Sequence, residues 1–210
     1  MKSILFLILF FQIIYADSNG ELFQKKISKI SNDSALIELY DKFISEAAFS
    51  AKFIQTMQVK ALNKELVSKG NMVFIPDKGI VWETEKPYNQ YLLITKKGEV
   101  FEKDNPVPVG EFSYVKIMTE MINSGLDKLS GIFDLFYSDD DVKWLLGLIP
   151  RKRVMSKFIS NIIISGDRNG KINEVTVMGH DVKITELRFE EHKTLKKEEL
   201  NRVNEILKQK

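Results

Sequence analysis

His180 and His192 are the only imidazoles in the 210-residue chain, and neither has a carboxylate at a metal-ligand spacing. Zinc or iron held by imidazole needs such a spacing. His180 sits in Gly179-His180-Asp181, a turn sequence, and reads as a solvated turn residue. The densest carboxylate run is Asp139-Asp140-Asp141, and calcium is the ion it would attract. It lacks the glycine and the distal glutamate of an EF-hand loop, so it reads as a polar turn before a strand at Val142. No serine occupies a strand-to-helix elbow, and no glycine-rich loop leads from a strand into a helix. With no cysteine in the chain, disulfides, thiolate-bound metals, thiol catalysis and a lipid-modified N-terminal cysteine are excluded. The residues predict no enzyme, no cofactor and no metal site. What remains is binding.

Composition narrows what could be bound. The 31 Lys+Arg and 29 Asp+Glu are interleaved, which is no electrostatic footprint for nucleic acid. A share of 44% apolar and 29% charged residues describes a folded globular chain. Its length suits a single domain with a sizeable core.

The first residues read as an address. Met1-Lys2-Ser3 carries one positive charge, and from Ile4 to Tyr15 only Gln12 is not apolar. Ala16 then precedes the polar run Asp17-Ser18-Asn19-Gly20. A basic start, a short apolar stretch and a small residue before a polar turn describe a signal peptide over 1–16, cleaved after Ala16. The stretch is shorter than the ~20 apolar residues that span a bilayer. Residues 17–210 are then one exported domain, resting on its core without disulfides.

Periodicity sets out the elements that position any binding face. Helical spacing covers Glu21 to Ile30 and Ala35 to Ser45, with Asn32-Asp33-Ser34 as an N-cap before the second. From Phe49 the period becomes two, placing Phe49, Ala51, Phe53, Gln55 and Met57 on one strand face. Val67–Ile75, Ile80–Thr84, Tyr91–Lys96 and Glu99–Lys103 follow as short strands joined by tight turns, an antiparallel meander. Beyond Asn105-Pro106-Val107-Pro108 a helical face carries Tyr114, Ile117, Met118, Met121 and Ile122, and Leu129, Ile132, Phe133 and Phe136 continue a helical or looped apolar segment to Tyr137. Strands resume over Val142–Ile149, Asn161–Ser165, Ile172–Met178 and Asp181–Glu190. Asp167-Arg168-Asn169-Gly170 is a hairpin turn, and Thr194–Lys208 is a charged helix. The pattern predicts one α+β domain.

The order of the early motifs resembles the periplasmic lipoprotein-carrier family, LolA and its relatives, over Leu36 to Asp104. Phe49-Ser50-Ala51-Lys52-Phe53-Ile54-Gln55 is similar to the family's first strand with its Phe-x-Gln. Ser68-Lys69-Gly70-Asn71-Met72-Val73-Phe74 resembles its Gly-containing second strand. Pro76-Asp77-Lys78-Gly79-Ile80-Val81-Trp82 resembles the turn and Trp strand. Pro87 and Leu93-Ile94-Thr95-Lys96-Lys97-Gly98 then fall where the family has its next strand and turn. Trp144 to Pro150 looks like a branch beyond the best-studied carriers. One motif departs from the pattern: Ile75-Pro76 stands where typical carriers have the Arg-Pro whose Arg latches the lid, and Val81 precedes the Trp where basic residues often occur.

The resemblance implies a strongly curved antiparallel sheet, an incomplete β-barrel, with a helical lid over a hydrophobic cavity. It implies that Phe53, Phe74, Ile80, Trp82 and Leu93 face that cavity. Periodicity offers Met118, Met121, Phe133 and Phe136 as lid candidates, methionine suiting an irregular acyl bundle. The implied function is a monomeric periplasmic carrier of acylated lipoproteins, loaded by an inner-membrane lipoprotein-releasing transporter and unloaded to an outer-membrane acceptor. A binding protein for another lipid or polyene-type amphiphile is the alternative with the same fold. A non-transporting envelope-stress sensor module is a third.

Overall fold

The computed structural model describes residues 21–45, 48–59, 64–76, 78–102, 105–107, 125–179 and 184–201. Residues 1–20, the apolar segment 108–124 with Met118 and Met121, and the last nine residues therefore lie outside the described residues, as does His180. A 3₁₀ turn at Ile30–Asn32 leads into helix α1, Ser34–Ser45, whose Leu36 N–H donates to the Asp33 carboxylate at 3.0 Å. Asp33 is thus the cap that the Asn-Asp-Ser sequence predicts.

Eleven strands follow, with a helical segment at 125–132 and a single turn at Arg153–Ser156 between some of them. They are β1 (Phe49–Val59), β2 (Lys64–Ile75), β3 (Gly79–Lys86), β4 (Gln90–Thr95), β5 (Val100–Glu102) and β6 (Asn105–Pro106). After the helical segment come β7 (Phe133–Asp139), β8 (Lys143–Pro150), β9 (Asn161–Asp167), β10 (Ile172–Met178) and β11 (Ile184–Thr194). All belong to one antiparallel sheet in the order β6-β5-β4-β3-β2-β1-β11-β10-β9-β8-β7. The end strands do not pair with each other, so the sheet is open. The fold class is α+β, as the sequence predicts.

Strand alternation gives this sheet an inner face that carries the helices. Phe49, Phe74, Ile80 and Ile94 lie side by side across four strands, and Ala51, Met72, Trp82 and Leu92 form the next row. Phe53 faces Phe189, which continues the face onto β11, and Val175, Ile164, Leu146 and Leu135 carry it on to β7. Trp82 and Trp144 stand on opposite arms of the sheet, yet both belong to one contiguous buried cluster with Leu36, Leu126 and Leu129. A sheet whose two arms share one core is bent around it. Gly70 assists the bend opposite a β-bulge at Glu85 of β3, where a Cβ on Gly70 would lie 1.8 Å from the Glu83 carbonyl oxygen.

Three segments differ from their sequence periodicity. Phe133 and Phe136 are spaced for a helix, but the helical segment ends at 132 and both side chains stand on β7. The alternation Phe133, Leu135, Tyr137 against the inner face outweighs the three-residue spacing. Glu21–Ile30 is not a continuous helix either. Its backbone joins the free edge of β7, with a bridge from Lys26 to Phe136 and a hydrogen bond from Ile27 N–H to the Leu135 carbonyl at 2.8 Å. Edge pairing satisfies a strand that no other strand covers. The last strand also runs further than expected, through Thr194, before helix resumes at 197–201.

This N-terminal strap covers the outer face of the sheet's β7 arm. Leu22 packs with Phe136 and Ile163, and the Phe23 ring meets Phe136 edge-on at 5.2 Å. Gly147 makes the space: a Cβ there would come within 2.7 Å of the Phe23 ring. Lys26 pairs with Asp134 at 2.8 Å and Arg151 reaches the same carboxylate at 2.5 Å, clamping strap to sheet.

Candidate functional site

The register sorts the residues singled out from the sequence. Phe53, Phe74, Ile80 and Trp82 share the inner face and are 1–4% exposed, so they form one apolar floor. The Trp82 ring stacks on Phe53 at 4.0 Å and meets Phe189 edge-on at 6.4 Å, while Phe74 packs on Phe49 at 5.4 Å. Leu93 is separated from them. It pairs with Val81 and Phe101 and so is buried on the opposite face, because the odd-numbered residues of β3 and β4 point away from Ile80 and Ile94. Phe133 and Phe136 divide in the same way: Phe133 belongs to the inner core and Phe136 to the cluster under the strap. Met118 and Met121 lie outside the described residues.

Space opens elsewhere on the inner face. Helix α1 contributes Leu36, Leu39 and Tyr40, and the helical segment contributes Leu126 and Leu129. Together they roof an apolar pocket of about 30 Å³ over Trp144, Leu146, Ile164 and Ile172. Beside it lies a polar cleft of about 220 Å³ bounded by Glu38, Lys42, Tyr137, Asp139, Asp140, Lys143 and Arg168. Leu39 and Trp144 line both spaces; Trp82 lines neither. The indole Nε1 of Trp144 is buried without a hydrogen-bond partner, an arrangement that leaves a donor's hydration uncompensated.

The cleft is ordered by charge. Lys42 pairs with Glu38 one helical turn earlier, at 2.8 Å. Arg168 donates to the Asp140 carbonyl at 2.7 Å and to the Asp141 carboxylate at 2.7 Å, joining the β9–β10 turn to the β7–β8 turn. The Asp140 carboxylate accepts the backbone N–H groups of Lys143 and Val142, which hold it below the usual carboxylate range. Burial pushes the Tyr137 phenol up to about 12, and the negative charges of Asp139, Asp33 and Glu38 act in the same direction. Tyr137 therefore remains a phenol and serves as a polar wall rather than a base. The Asp139-Asp140-Asp141 run is used for turn capping and ion pairing. Among the described residues no three His, Asp or Glu side chains come together to hold a metal.

His192 lies at the rim of the aromatic floor, its ring centroid 5.7 Å from that of Phe49. Burial lowers its pKa, and Lys171 adds to the effect, against a hydrogen bond with the Ile172 backbone. The sequence contains the signal for the pocket that the motif series misses. Trp144, Leu146 and Leu148 alternate with Leu145, Gly147 and Ile149, so the run WLLGLIP builds two faces at once. No helix among the described residues is long and apolar enough to cross a membrane.

No family model matches the sequence, and no characterised protein matches it by sequence. Solved structures of similar arrangement do exist. A LolA superfamily protein from Nitrosomonas europaea is 8% identical with a TM-score of 0.43, over 76% of this chain and 93% of that one. A putative outer membrane lipoprotein-sorting protein domain from Vibrio parahaemolyticus is 13% identical with a TM-score of 0.39, over 83% and 97%. A MucA/MucB complex structure from Pseudomonas aeruginosa matches at 11% identity and a TM-score of 0.48, over 80% of this chain. The matched region is 59% of that longer chain. These likenesses concern chain arrangement and bear on neither ligand nor partner.

Proposed function

We propose that the chain is an exported, non-catalytic carrier that shelters the acyl chains of lipoproteins and moves them across the periplasm toward the outer membrane. The observation that carries this reading is the apolar pocket roofed by α1 and opening beside a polar cleft, with Trp144 and Leu39 shared between the two. An amphiphile meets the same change of surroundings along its length. Each methylene withdrawn from water contributes about 0.8 kcal/mol, so an acyl chain needs a cover that can also let it go. At about 30 Å³ the pocket admits little more than one water-sized group, and loading requires α1 to swing away from Leu146 and Ile164. The leader-like start, the absence of any nucleophilic apparatus and the ordered Phe-Gln, Gly and Trp motifs support the same reading. On it, residues 1–16 are removed at export and 17–210 work as one domain. An inner-membrane releasing transporter and an outer-membrane acceptor are its partners.

Native mass spectrometry of protein purified from the envelope of its own host tests this. The expected result is a bound acylated species, lost in Leu146→Phe, which takes up the space of the pocket floor, with an unchanged thermal melt as the check on folding. A free lipid in its place makes the chain a carrier for another amphiphile. Depletion should strand outer-membrane lipoproteins in the inner membrane; normal sorting overturns the lipoprotein reading.

A second reading rests on the Phe53–Trp82 stack. The centre of the inner face is filled by its own side chains at 4.0 Å, as in a module that binds a protein partner rather than a lipid. Protein that stays ligand-free in the envelope and takes up no fluorescent fatty acid in vitro would favour it.

A further inference from the structure

Between β8 and β9 the chain reads Arg151-Lys152-Arg153-Val154-Met155-Ser156-Lys157-Phe158-Ile159-Ser160. From Val142 through Gly166 there is no Asp or Glu, although the chain carries 29 of them. The connection is anchored at both ends. Arg151 N–H donates to the Ile132 carbonyl at 3.0 Å, and Ser160 donates to the Met178 carbonyl from its N–H at 2.7 Å and its hydroxyl at 3.0 Å. Its middle is held by Met155 and Ile159, 9% and 4% exposed. Those two are four residues apart and point inward, so Val154 and Phe158, also four apart, are turned outward. They are 58% and 61% exposed.

The cations around them are not used internally. Arg151 is engaged by Asp134, but Lys152, Arg153 and Lys157 form no ion pair among the described residues. Lys152 and Arg153 also enter the turn at Arg153–Ser156 with no acidic residue and no side-chain cap to offset them. The anchored turn exposes two apolar side chains, and the three cations beside them in the chain have no ion-pair partner among the described residues. It suits a surface that is apolar beneath and anionic above.

We propose that residues 151–158 dock the protein on an anionic lipid bilayer. Val154 and Phe158 enter the boundary between headgroups and acyl chains, and Lys152, Arg153 and Lys157 rest on lipid phosphates. An acidic protein could satisfy the cations, but it would also need a pocket shaped for Phe158. A fluid bilayer accepts both groups without complementary shape. The docking turn belongs to a different part of the surface from the pocket under α1, and it holds whatever that pocket binds.

The test is co-sedimentation of the purified chain with vesicles of phosphatidylcholine plus phosphatidylglycerol, against vesicles of phosphatidylcholine alone. Binding is expected only to the anionic vesicles, weakening as salt is raised. Each cation near an anionic surface is worth about fivefold, so Lys152→Gln, Arg153→Gln and Lys157→Gln together should lower partition on the order of a hundredfold. Val154→Ser with Phe158→Ser should lower it as well; both sets of changes leave the anchors Met155 and Ile159 in place, and circular dichroism checks that each variant is folded. An F158W variant should gain blue-shifted emission on anionic vesicles, beyond the emission of the buried Trp82 and Trp144. Equal binding to neutral vesicles, no binding, or unchanged binding in the triple variant overturns the proposal. So does binding to polyglutamate through these residues with none to vesicles.

Discussion

The indole of Trp82 lies over the phenyl ring of Phe53, with centroids 4.0 Å apart and planes 28° apart. The pair ties β3 to β1 through side chains that pass above Met72 and Gly70 on the strand between them. Trp82→Ala should cost about 3–5 kcal/mol, because the cavity left on the inner face is lined by large groups that cannot collapse into it. Trp82→Phe should cost much less. Urea denaturation of the two variants gives both values, and a loss below about 1 kcal/mol for the alanine variant would mean that the centre of this face is open rather than packed.

Gly147 supports a different surface. Its missing Cβ is the space occupied by the Phe23 ring, so Gly147→Ala should displace the strap from β8. The expected signature is local. Residues 21–27 should become open to proteolysis and to rapid amide exchange at Ile27, while the melting temperature of the sheet changes little.

The strap should also respond to acid. Hydrogen bonds from Lys26 and then Arg151 hold the Asp134 carboxyl below its usual value of 3.8. A lowered folded pKa means that this clamp contributes fully above the ordinary carboxylate range and is lost as pH falls through the depressed value. Carbon-detected NMR of the Asp134 carboxyl should show a midpoint below 3.8, rising toward it in Lys26→Met and further in Lys26→Met with Arg151→Met. A midpoint that ignores both changes would refute the clamp.

His192 works in the opposite charge sense. Burial disfavours its imidazolium, with Lys171 adding to the effect, so the folded pKa lies below the 6.5 of an exposed histidine. The unfolded chain then takes up the proton first. Stability is complete above about 6.5 and declines as pH falls through that value toward the folded pKa. His192→Phe keeps a ring against Phe49 and should flatten this part of the stability–pH profile, as followed by denaturation at several pH values.

Residues 48–102 were legible because their strands alternate cleanly and their turns carry Pro, Gly or Asn. The Phe49, Ala51, Phe53, Gln55 face and the Ile172–Met178 strand are found where period two puts them. Two features defeat a one-dimensional reading. Phe133 and Phe136 satisfy a helical spacing, yet the helix stops at Ile132, just after Gly131, and the strand begins at Phe133. Leu93 carries a strand motif, but its face is set by pairing with Val81, and a one-residue difference of parity sends it away from Trp82. The pocket residues come from α1, the 125–132 segment and β8–β10, and nothing short of the sheet order brings these together. That order depends on β1 lying beside β11, a pairing no local pattern encodes.

The strand order has a consequence for how the molecule comes to exist. Every neighbour in β1–β6 is also the next strand in the chain, and the same holds for β7–β11. Each meander forms through short loop closures that cost little entropy and proceed quickly. Only the β1–β11 junction is different: the Lys52–Glu191 ion pair across it at 2.7 Å joins residues 139 positions apart. During synthesis the first meander emerges complete while the inner-facing edge of β1 waits for the last strand. The longest loop closure between neighbouring strands of the sheet is therefore the meeting of two meanders along one seam. The aromatic floor of Phe53, Trp82 and Phe189, contributed from both sides of that seam, is the surface that holds them together once they meet.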